Sequence, residues 1–343
     1  MDHYLLFVSL AAVGIFFSTS TNFLAEAQGA GKPGINYGLL GDNLPAPDKV
    51  VELFKQRNIR RIRLFQPDGA ALKALHNSGI EVIVGTTNGE LPKIAQDPAA
   101  AAGWVKDNIV PHASSVTFRC IAAGNEVFPS DLAQYVGPAM ENLDKALADA
   151  GVRVPVSTAV SMSVMGPSPI PSTGVFSDAG LSFMSPYLVG FLEKKGYPLL
   201  LNAYPYFAYD PKVMSLEYAL LGSSSVIVQD GDHGYTNLLH AMVDTVYSAL
   251  EKVGAPNVEI VLTETGWPSG GGPEWATVEN ARIHNSNAVA LAAKNVATPK
   301  RPGKGVETYV FATFNENQKP EGTERHYGLF NPDMTEVYHV EFP

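Results

Sequence analysis

Short apolar runs alternate with longer segments whose apolar residues recur at helical spacing. The runs predict eight buried strands, at residues 34–37, 59–65, 81–86, 117–124, 154–160, 199–204, 259–263 and 307–314. The segments between them predict helices at residues 47–57, 68–78, 98–110, 131–150, 183–195, 235–253 and 274–295. Because each helical crossover returns the chain to the same end of the sheet, we expect all eight strands to be parallel.

The length of the repeating unit favours a closed sheet. Each strand and its crossover take about 40 residues, which suits a (β/α)8 barrel, the TIM-barrel architecture, in a single α/β domain. We place that domain at residues 28–343. An open doubly wound sheet is the alternative, but no G-x-G-x-x-G follows the first strand. Residues 161–182 are rich in Pro, Ser and Gly and are expected to form a long loop at the carboxyl-terminal face.

The amino terminus carries a targeting signal. An apolar segment from Tyr4 to Phe17 precedes Ala25-Glu26-Ala27, which is typical of a secretory signal peptide over residues 1–27. An amino-terminal membrane anchor is the alternative, but few apolar residues follow Phe17. No other run reaches the ~20 residues of a spanning helix. We therefore expect a secreted protein that does not bind a membrane.

Composition limits the partners. The net charge of −10 argues against nucleic acid and anionic membranes, and suits a neutral polymer. The single cysteine, Cys120, lies in an apolar strand and is expected to be a buried, inert thiol. The histidines have no metal-ligand spacing, and Asp230-Gly231-Asp232 is interpreted as a turn, so no metal or cofactor is expected. Nothing in the sequence indicates more than a monomer.

Polar and aromatic residues stand where several predicted strands end. In a barrel these ends converge on one face. There the chain places Tyr37, Asn125, Glu126, Asn202, Tyr204, Phe207, Glu264, Trp267, Phe314, Glu316 and Lys319. Aromatic rings pack against the apolar faces of sugars, and amides bind hydroxyl groups. We therefore expect a carbohydrate site.

Two of these residues, Glu126 and Glu264, are carboxylates from strands four and seven, as glycoside hydrolysis requires. One must be protonated to assist the leaving oxygen, and the other ionised to attack the anomeric carbon. Asn125 is placed to bind the sugar's 2-hydroxyl. Tyr204 is expected to donate a hydrogen bond to Glu264 and lower its pKa. No G-x-S-x-G, P-loop or H-E-x-x-H motif supports another chemistry.

Four segments carry a resemblance to a known family. They are Ala123-Gly124-Asn125-Glu126, Asn202-Ala203-Tyr204-Pro205-Tyr206-Phe207, Glu264-Thr265-Gly266-Trp267-Pro268-Ser269 and Phe314-Asn315-Glu316-Asn317-Gln318-Lys319. With them, the chain from Gly34 onward resembles the plant β-1,3-glucanases of glycoside hydrolase family 17. The resemblance implies endo-cleavage of β-1,3-glucan, such as callose or fungal wall glucan, with retention of configuration. It also implies that Glu126 is the acid/base and Glu264 the nucleophile.

The resemblance extends to the cleft around this pair. It implies that Glu316, Lys319 and Glu324 are further polar residues of the site, and that Tyr37, Phe207 and Phe330 line the substrate cleft. For Glu316 we favour a salt bridge to Lys319 over direct chemistry. The chain departs from the family at Gln66, which is usually Asp, and at Trp275, which is interpreted either as an extra sugar platform or as a packing residue.

Two other functions are open. A β-1,3;1,4-glucanase of the same family would use the same carboxylates and differ only in its subsites. A non-catalytic glucan-binding wall protein is disfavoured, because both carboxylates are present. The chain stops soon after Tyr338-His339-Val340-Glu341-Phe342, without the carboxyl-terminal extension linked to vacuolar sorting in some members of the family or the carbohydrate-binding module of others. With the acidic balance, this favours the cell wall space over the vacuole. Defence, callose turnover and fruit softening would all use the same chemistry.

Overall fold

Eight parallel strands close into a barrel in the computed structural model, which describes residues 33–184 and 187–343. The barrel strands are β1 Gly34–Asn36, β2 Arg61–Leu64, β3 Glu81–Gly85, β4 Thr117–Asn125, β5 Val156–Ser161, β6 Leu199–Asn202, β9 Ile260–Thr265 and β10 Glu307–Val310, and two further strands, β7 Val228–Asp230 and β8 His233–Tyr235, lie outside it. Around the barrel the order is β1-β10-β9-β6-β5-β4-β3-β2, while β7 and β8 pair as a separate antiparallel hairpin. The predicted (β/α)8 barrel is confirmed.

Helices lie between the barrel strands. They are α1 Pro47–Gln56, α2 Gly69–Ala74, α3 Leu91–Gln96, α4 Pro98–Asn108, α5 Val136–Asp149, α6 Asp178–Met184, α7 Tyr187–Lys195, α8 Pro205–Ala208, α9 Leu216–Ala219, α10 Leu238–Lys252 and α11 Val278–Ala293. Side-chain caps start several of them. Asn237, for example, accepts from the N–H of His240 at the start of α10, which satisfies an otherwise unpaired donor.

Some helix predictions were incomplete. The predicted helix at 183–195 corresponds to α7 and to the end of α6. Ser177 caps α6 by accepting from the N–H of Gly180, and α6 begins five residues before the predicted start. The sequence pattern missed α3, α8 and α9, which have four to six residues each and are too short for a periodicity to show. The first turns of the predicted helix at 131–150 are a 3-10 segment, Asp131–Tyr135.

The barrel interior is apolar in its middle and charged at its amino-terminal end. Ile83, Ala122, Leu200 and Val261 form part of the interior cluster. Cys120 belongs to the same cluster, and burial raises its pKa to about 12, as suits an unreactive thiol. The amino-terminal charges, which include Glu307, are paired inside the barrel.

The loop at 161–182 is held against the β7–β8 hairpin and the end of α10. It contains two 3-10 segments, Met162–Val164 and Pro171–Thr173, and runs into α6. Asp230 accepts from both the N–H and the hydroxyl of Ser172, and Gly231 turns the β7–β8 hairpin with φ 56°. The predicted turn at Asp230 is therefore confirmed.

The described part of the chain has neither a metal-binding cluster nor a membrane-spanning helix. Among residues 33–184 and 187–343, no group of three or more His, Cys, Asp or Glu side chains is arranged to hold a metal ion. The same residues contain no helix that is both long and apolar enough to cross a membrane. The predicted signal peptide at residues 1–27 lies outside the described residues.

Candidate active site

An irregular backbone at the end of β4 sets the direction of the Glu126 side chain. The register between β4 and β5 shifts between Ala122 and Asn125. Gly124 has φ 74° and Glu126 has φ 49°, a left-handed conformation that costs energy for a residue with a side chain. A Cβ on Gly124 would lie 2.5 Å from Val127 Cγ2. Only glycine fits there.

The strained segment is fixed by hydrogen bonds. Asn88, after β3, accepts from the N–H of Asn125 at 2.8 Å and donates to its carbonyl at 2.9 Å. The N–H of Glu126 donates to the carbonyl of Ala159 at 2.8 Å. Because two neighbouring segments hold the backbone, the carboxyl group of Glu126 is directed toward the barrel axis. Asn88 was not anticipated from the sequence, since no motif marks it.

Glu264 lies in β9 with its carboxylate almost fully buried, 6% exposed. Its Oε1 accepts from Arg63 Nη1 at 2.7 Å and from Asn202 Nδ2 at 2.8 Å. Its Oε2 accepts from the hydroxyl of Tyr204 at 2.7 Å, so the predicted hydrogen bond from Tyr204 is present. Three donors thus surround a carboxylate that is shielded from water.

Opposing effects set the protonation of Glu264. Burial raises its pKa above the ordinary value, and the neighbouring Glu126 adds to this. The Arg63 charge and the Tyr204 hydrogen bond act in the opposite direction. Tyr204 therefore lowers the pKa of Glu264 as predicted, but it does not outweigh burial. Burial and the charge of Glu264 in turn raise the pKa of Tyr204 well above its ordinary value, so Tyr204 stays a neutral donor.

One amide bridges the two carboxyl groups. Asn202 Nδ2 lies 2.9 Å from Glu126 Oε1 and 2.8 Å from Glu264 Oε1. These two carboxyl oxygens are therefore less than about 6 Å apart. Glycosidases that retain configuration hold their carboxyl groups about 5–5.5 Å apart, and inverting ones about 6.5–9.5 Å. The upper limit on this oxygen pair is closer to the retaining spacing than to the inverting one.

Arg63 is the main site residue that the sequence reasoning missed. Its guanidinium is buried, contacts Glu264, donates to Asn125 Oδ1 at 2.6 Å and lies 4.6 Å from the centre of the Phe65 ring. A signal for it existed. Arg61-Ile62-Arg63-Leu64 alternates in a buried strand, and alternation directs both arginines into the barrel.

An open cleft crosses the carboxyl-terminal face, with the two carboxylates at its middle. One half, the Tyr37 arm, has a volume of about 430 Å³ and is lined by Tyr37, Leu39, Leu40, Phe65, Gln66, Glu316 and Lys319. The other half, the Phe207 arm, has a volume of about 370 Å³ and is lined by Ser161, Met162, Ser163, Asn202, Tyr204, Phe207 and Tyr327. Both arms share Glu126, Glu264, Phe311 and Glu324. A cleft with an arm on each side of the carboxylates suits the interior of a polymer.

Glu316 shapes the wall of the Tyr37 arm. Its side chain is buried, accepts from the N–H of Leu40 at 2.6 Å and pairs with Lys319 at 3.4 Å. The Lys319 ammonium lies 4.0 Å from the centre of the Phe311 ring. These contacts agree with the predicted salt bridge and leave Glu316 engaged in holding a loop.

Three aromatic residues do not lie where the sequence suggested. Trp267 is completely buried against Tyr206 and His284 of α11, and its Nε1 donates to the carbonyl of Trp275. It cannot touch sugar, because the turn after β9 directs the indole between the barrel and the helices. Phe314 and Phe330 are also buried, packed against each other, and neither lines the cleft.

Other aromatic residues divide between the cleft and the core. Phe207 is 65% exposed beside Tyr204, and Tyr37 borders its arm although most of its surface is covered. Trp275 is half-buried and packs against Tyr209 with ring centres 5.3 Å apart. Of the two interpretations of Trp275, the structure favours packing.

A (β/α)8 barrel that presents two closely spaced carboxyl groups in a cleft has the arrangement of a glycoside hydrolase. Comparison with known proteins places it more narrowly. Residues 33–342 match the model of glycosyl hydrolases family 17, and the chain belongs to that family.

Known proteins are similar in sequence to this chain over nearly its whole length. A putative glucan endo-1,3-beta-glucosidase GVI from Hordeum vulgare is 51% identical, over 93% of this chain and 98% of the relative. Lichenase-2 from Hordeum vulgare is 44% identical, over 90% and 98%. The solved structure of CJP38, a beta-1,3-glucanase and pollen allergen of Cryptomeria japonica, is 45% identical with a TM-score of 0.87, covering 91% of this chain and 99% of that one.

Proposed function

We propose that this glycoside hydrolase cleaves internal bonds of β-1,3-glucans with retention of configuration. The observation that carries the proposal is the single amide, Asn202, which lies within hydrogen-bond distance of both Glu126 and Glu264. That closeness supports direct attack by one carboxylate. The two arms of the cleft, which meet at the carboxylates, support cleavage within a chain. Similar proteins named glucan endo-1,3-beta-glucosidases and beta-1,3-glucanases support the substrate.

In the first step Glu264 attacks the anomeric carbon while Glu126, protonated, gives its proton to the leaving oxygen. In the second step Glu126 takes a proton from water, and the water oxygen replaces Glu264 on the sugar. Asn125 fits its proposed role, because Arg63 and Asn202 donate to its Oδ1. Its Nδ2, which has no partner among the described residues, is left to donate to the 2-hydroxyl.

Substitution of the nucleophile tests the mechanism. Glu264→Gln keeps the shape and the acceptor oxygen but cannot attack, so we expect turnover to fall by at least about 10⁴-fold. Binding of laminarin, measured by affinity electrophoresis, should persist. Activity near the wild-type level would remove Glu264 from the nucleophile role.

A β-1,3;1,4-glucanase is the second candidate, favoured by the similarity to Lichenase-2. Both enzymes would use the same carboxylates and differ only along the arms. Initial rates on laminarin and on barley mixed-linkage glucan separate them. We expect the higher kcat/KM on laminarin, and a clear preference for the mixed-linkage polymer would reverse the assignment.

For the cellular setting we infer a secreted, monomeric enzyme of the cell wall space, produced with a signal peptide at residues 1–27 and a catalytic domain at residues 28–343. The sequence pattern Ala25-Glu26-Ala27 supports cleavage before Gln28. Amino-terminal sequencing of the protein from culture medium tests this inference. A first residue other than Gln28 would contradict the cleavage site.

A further inference from the structure

The amide of Asn202 faces more acceptors than it can serve at once. Its Nδ2 lies 2.8 Å from Glu264 Oε1, 2.9 Å from Glu126 Oε1 and 3.0 Å from Asn125 Oδ1. A primary amide nitrogen carries two hydrogens. Good hydrogen bonds to only two of the three acceptors can therefore exist at one time, and the choice between them is set by their charges.

The orientation of this amide is fixed by the opposite side of the group. Asn202 Oδ1 accepts from the hydroxyl of Thr263 at 2.8 Å and from Arg63 Nη1 at 3.2 Å. A flipped amide would turn its hydrogens toward the Arg63 guanidinium, which only donates. Asn202 is also 1% exposed, so water does not compete strongly for its hydrogens. The amino group therefore points to the carboxyl pair.

The three acceptors depend on Asn202 to different degrees. Glu264 also accepts from Arg63 and Tyr204, and Asn125 Oδ1 also accepts from Arg63. For the carboxyl group of Glu126, Asn202 is the one hydrogen-bond donor among residues 33–184 and 187–343. Loss of Asn202 would thus leave Glu264 with two donors and Glu126 with none.

We propose that Asn202 is a positioning residue that donates to both carboxyl groups before the first step and to Glu126, which then carries the negative charge, after it. The proposal rests on the two-step reaction proposed above. Before the first step the charge is on Glu264. Because Glu126 Oε1 accepts from Asn202, the proton of neutral Glu126 is kept on Oε2, ready for the leaving oxygen. After the first step Glu264 is an uncharged ester, and the hydrogens of Asn202 serve Glu126.

The second step then depends most on this amide. Glu126 takes a proton from water, the water oxygen bonds to the anomeric carbon, and the bond from that carbon to Glu264 breaks with its electron pair returning to the carboxylate. Glu126 must be correctly oriented as it becomes the base. Removing its one donor should therefore slow the second step more than the first, in which Glu264 keeps the donors Arg63 and Tyr204.

The test uses Asn202→Ala and a dinitrophenyl β-glycoside of laminaribiose, whose leaving group needs no proton. We expect a rapid burst of dinitrophenolate followed by a steady-state rate about 10–100-fold below that of wild type. This loss is part of the about 10²–10⁴-fold rate increase that general base catalysis contributes. Azide attacks the anomeric carbon without a base, so it should restore the steady-state rate and yield the glycosyl azide.

Two further variants make the result specific. Asn202→Asp keeps an acceptor for Thr263 and Arg63 but lacks the amide hydrogens, so it should show the same burst and rescue by azide. Asn142→Ala is the control, because Asn142 is another amide with two hydrogen bonds, to the carbonyls of Ile94 and Ala95, away from the cleft. It should behave as wild type in the same assay.

A measurement on the wild-type chain covers the case in which the variants do not fold. In a crystal of the glycosyl-enzyme trapped with a fluorosugar, Asn202 Nδ2 should lie within about 3.2 Å of a Glu126 oxygen. A separation beyond hydrogen-bond distance would overturn the proposal. A raised KM in the variants, without a burst and without an effect of azide, would also overturn it, because that result indicates a sugar contact. If wild type releases no dinitrophenolate, the proposed function itself fails.

Discussion

Arg63 is the cation that makes a buried Glu264 carboxylate tolerable. Arg63→Met keeps an unbranched stem but removes the guanidinium, which lies 2.7 Å from Glu264 Oε1 and 2.6 Å from Asn125 Oδ1. Both members of the ion pair are almost completely buried. Solvent therefore cannot replace the lost charge.

The size of the effect follows from that burial. Removing one partner of a buried ion pair costs about 3–5 kcal/mol. The cost falls on the ionised form, so the pKa of Glu264, which burial already raises, should rise further. A carboxyl group whose folded pKa lies above its unfolded value destabilises the fold as pH rises between the two values. The variant should thus lose about 3–5 kcal/mol near neutral pH and less below the ordinary glutamate pKa of about 4.3.

Urea unfolding of wild type and variant at pH 7.5 and pH 4 measures the stability difference. The kcat/KM for laminarin across pH reports ionisation of the free enzyme, and its acidic limb should move to higher pH in the variant. An equal loss of stability at both pH values with an unmoved limb would refute the reasoning, and would assign the loss to packing of Arg63 on Phe65. Arg282→Met, which breaks an exposed pair with Glu279, is the control and should change neither measurement.

Two more predictions concern the cleft wall and the opposite end of the barrel. In Gly38→Ala the new Cβ would lie 2.4 Å from Glu316 Oε2, so the Glu316 side chain, which holds Leu40, must move. We expect KM for laminarin to rise about 10-fold with little change in kcat. A wild-type KM would show that the Glu316–Leu40 contact does not shape the substrate site. Burial opposes ionisation of Glu307, but the charges of Arg61 and Arg119 outweigh burial and lower the pKa of Glu307. The ionised carboxylate therefore stabilises the fold above the ordinary glutamate pKa, and this stabilisation is lost as pH falls through the lowered pKa. Glu307→Gln should lower the free energy of unfolding by about 3–5 kcal/mol at neutral pH and by less at low pH. Thermal unfolding of wild type and variant tests this, and a difference between them that is the same at every pH would contradict it.

The positions of the two carboxylates were predictable because they depend only on where strands end. Glu126 and Glu264 follow apolar runs that are strands four and seven of the barrel, and the carboxyl ends of parallel strands meet at one face. Their closeness was not predictable in the same way. It depends on the left-handed backbone of Glu126 and on Asn88, which no local pattern in the sequence marks.

The direction of a side chain after a strand was also beyond sequence reasoning. Trp267 follows Glu264 by three residues, yet its indole packs against α11 and Glu264 faces the cleft. Strand alternation no longer applies once Gly266 and Pro268 turn the chain. Phe207 is the opposite case. It belongs to the short helix α8, which the pattern missed, and its ring is among the most exposed of the large apolar side chains described.

The two arginines of β2 show how one strand serves both ends of the barrel. Arg61 and Arg63 are two residues apart, so both point inward, about 6.6 Å apart along the strand. Arg61 stands at the amino-terminal end and pairs with Glu81 and Glu307, which also begin their strands. Arg63 stands nearer the carboxyl end, where the barrel opens, and its partner is Glu264. In β2 the first inward charge therefore lies at the amino-terminal end, and the second lies beside the carboxylate that we propose as the nucleophile. Alternation along this buried strand thus marks Arg63 as a candidate residue of the site.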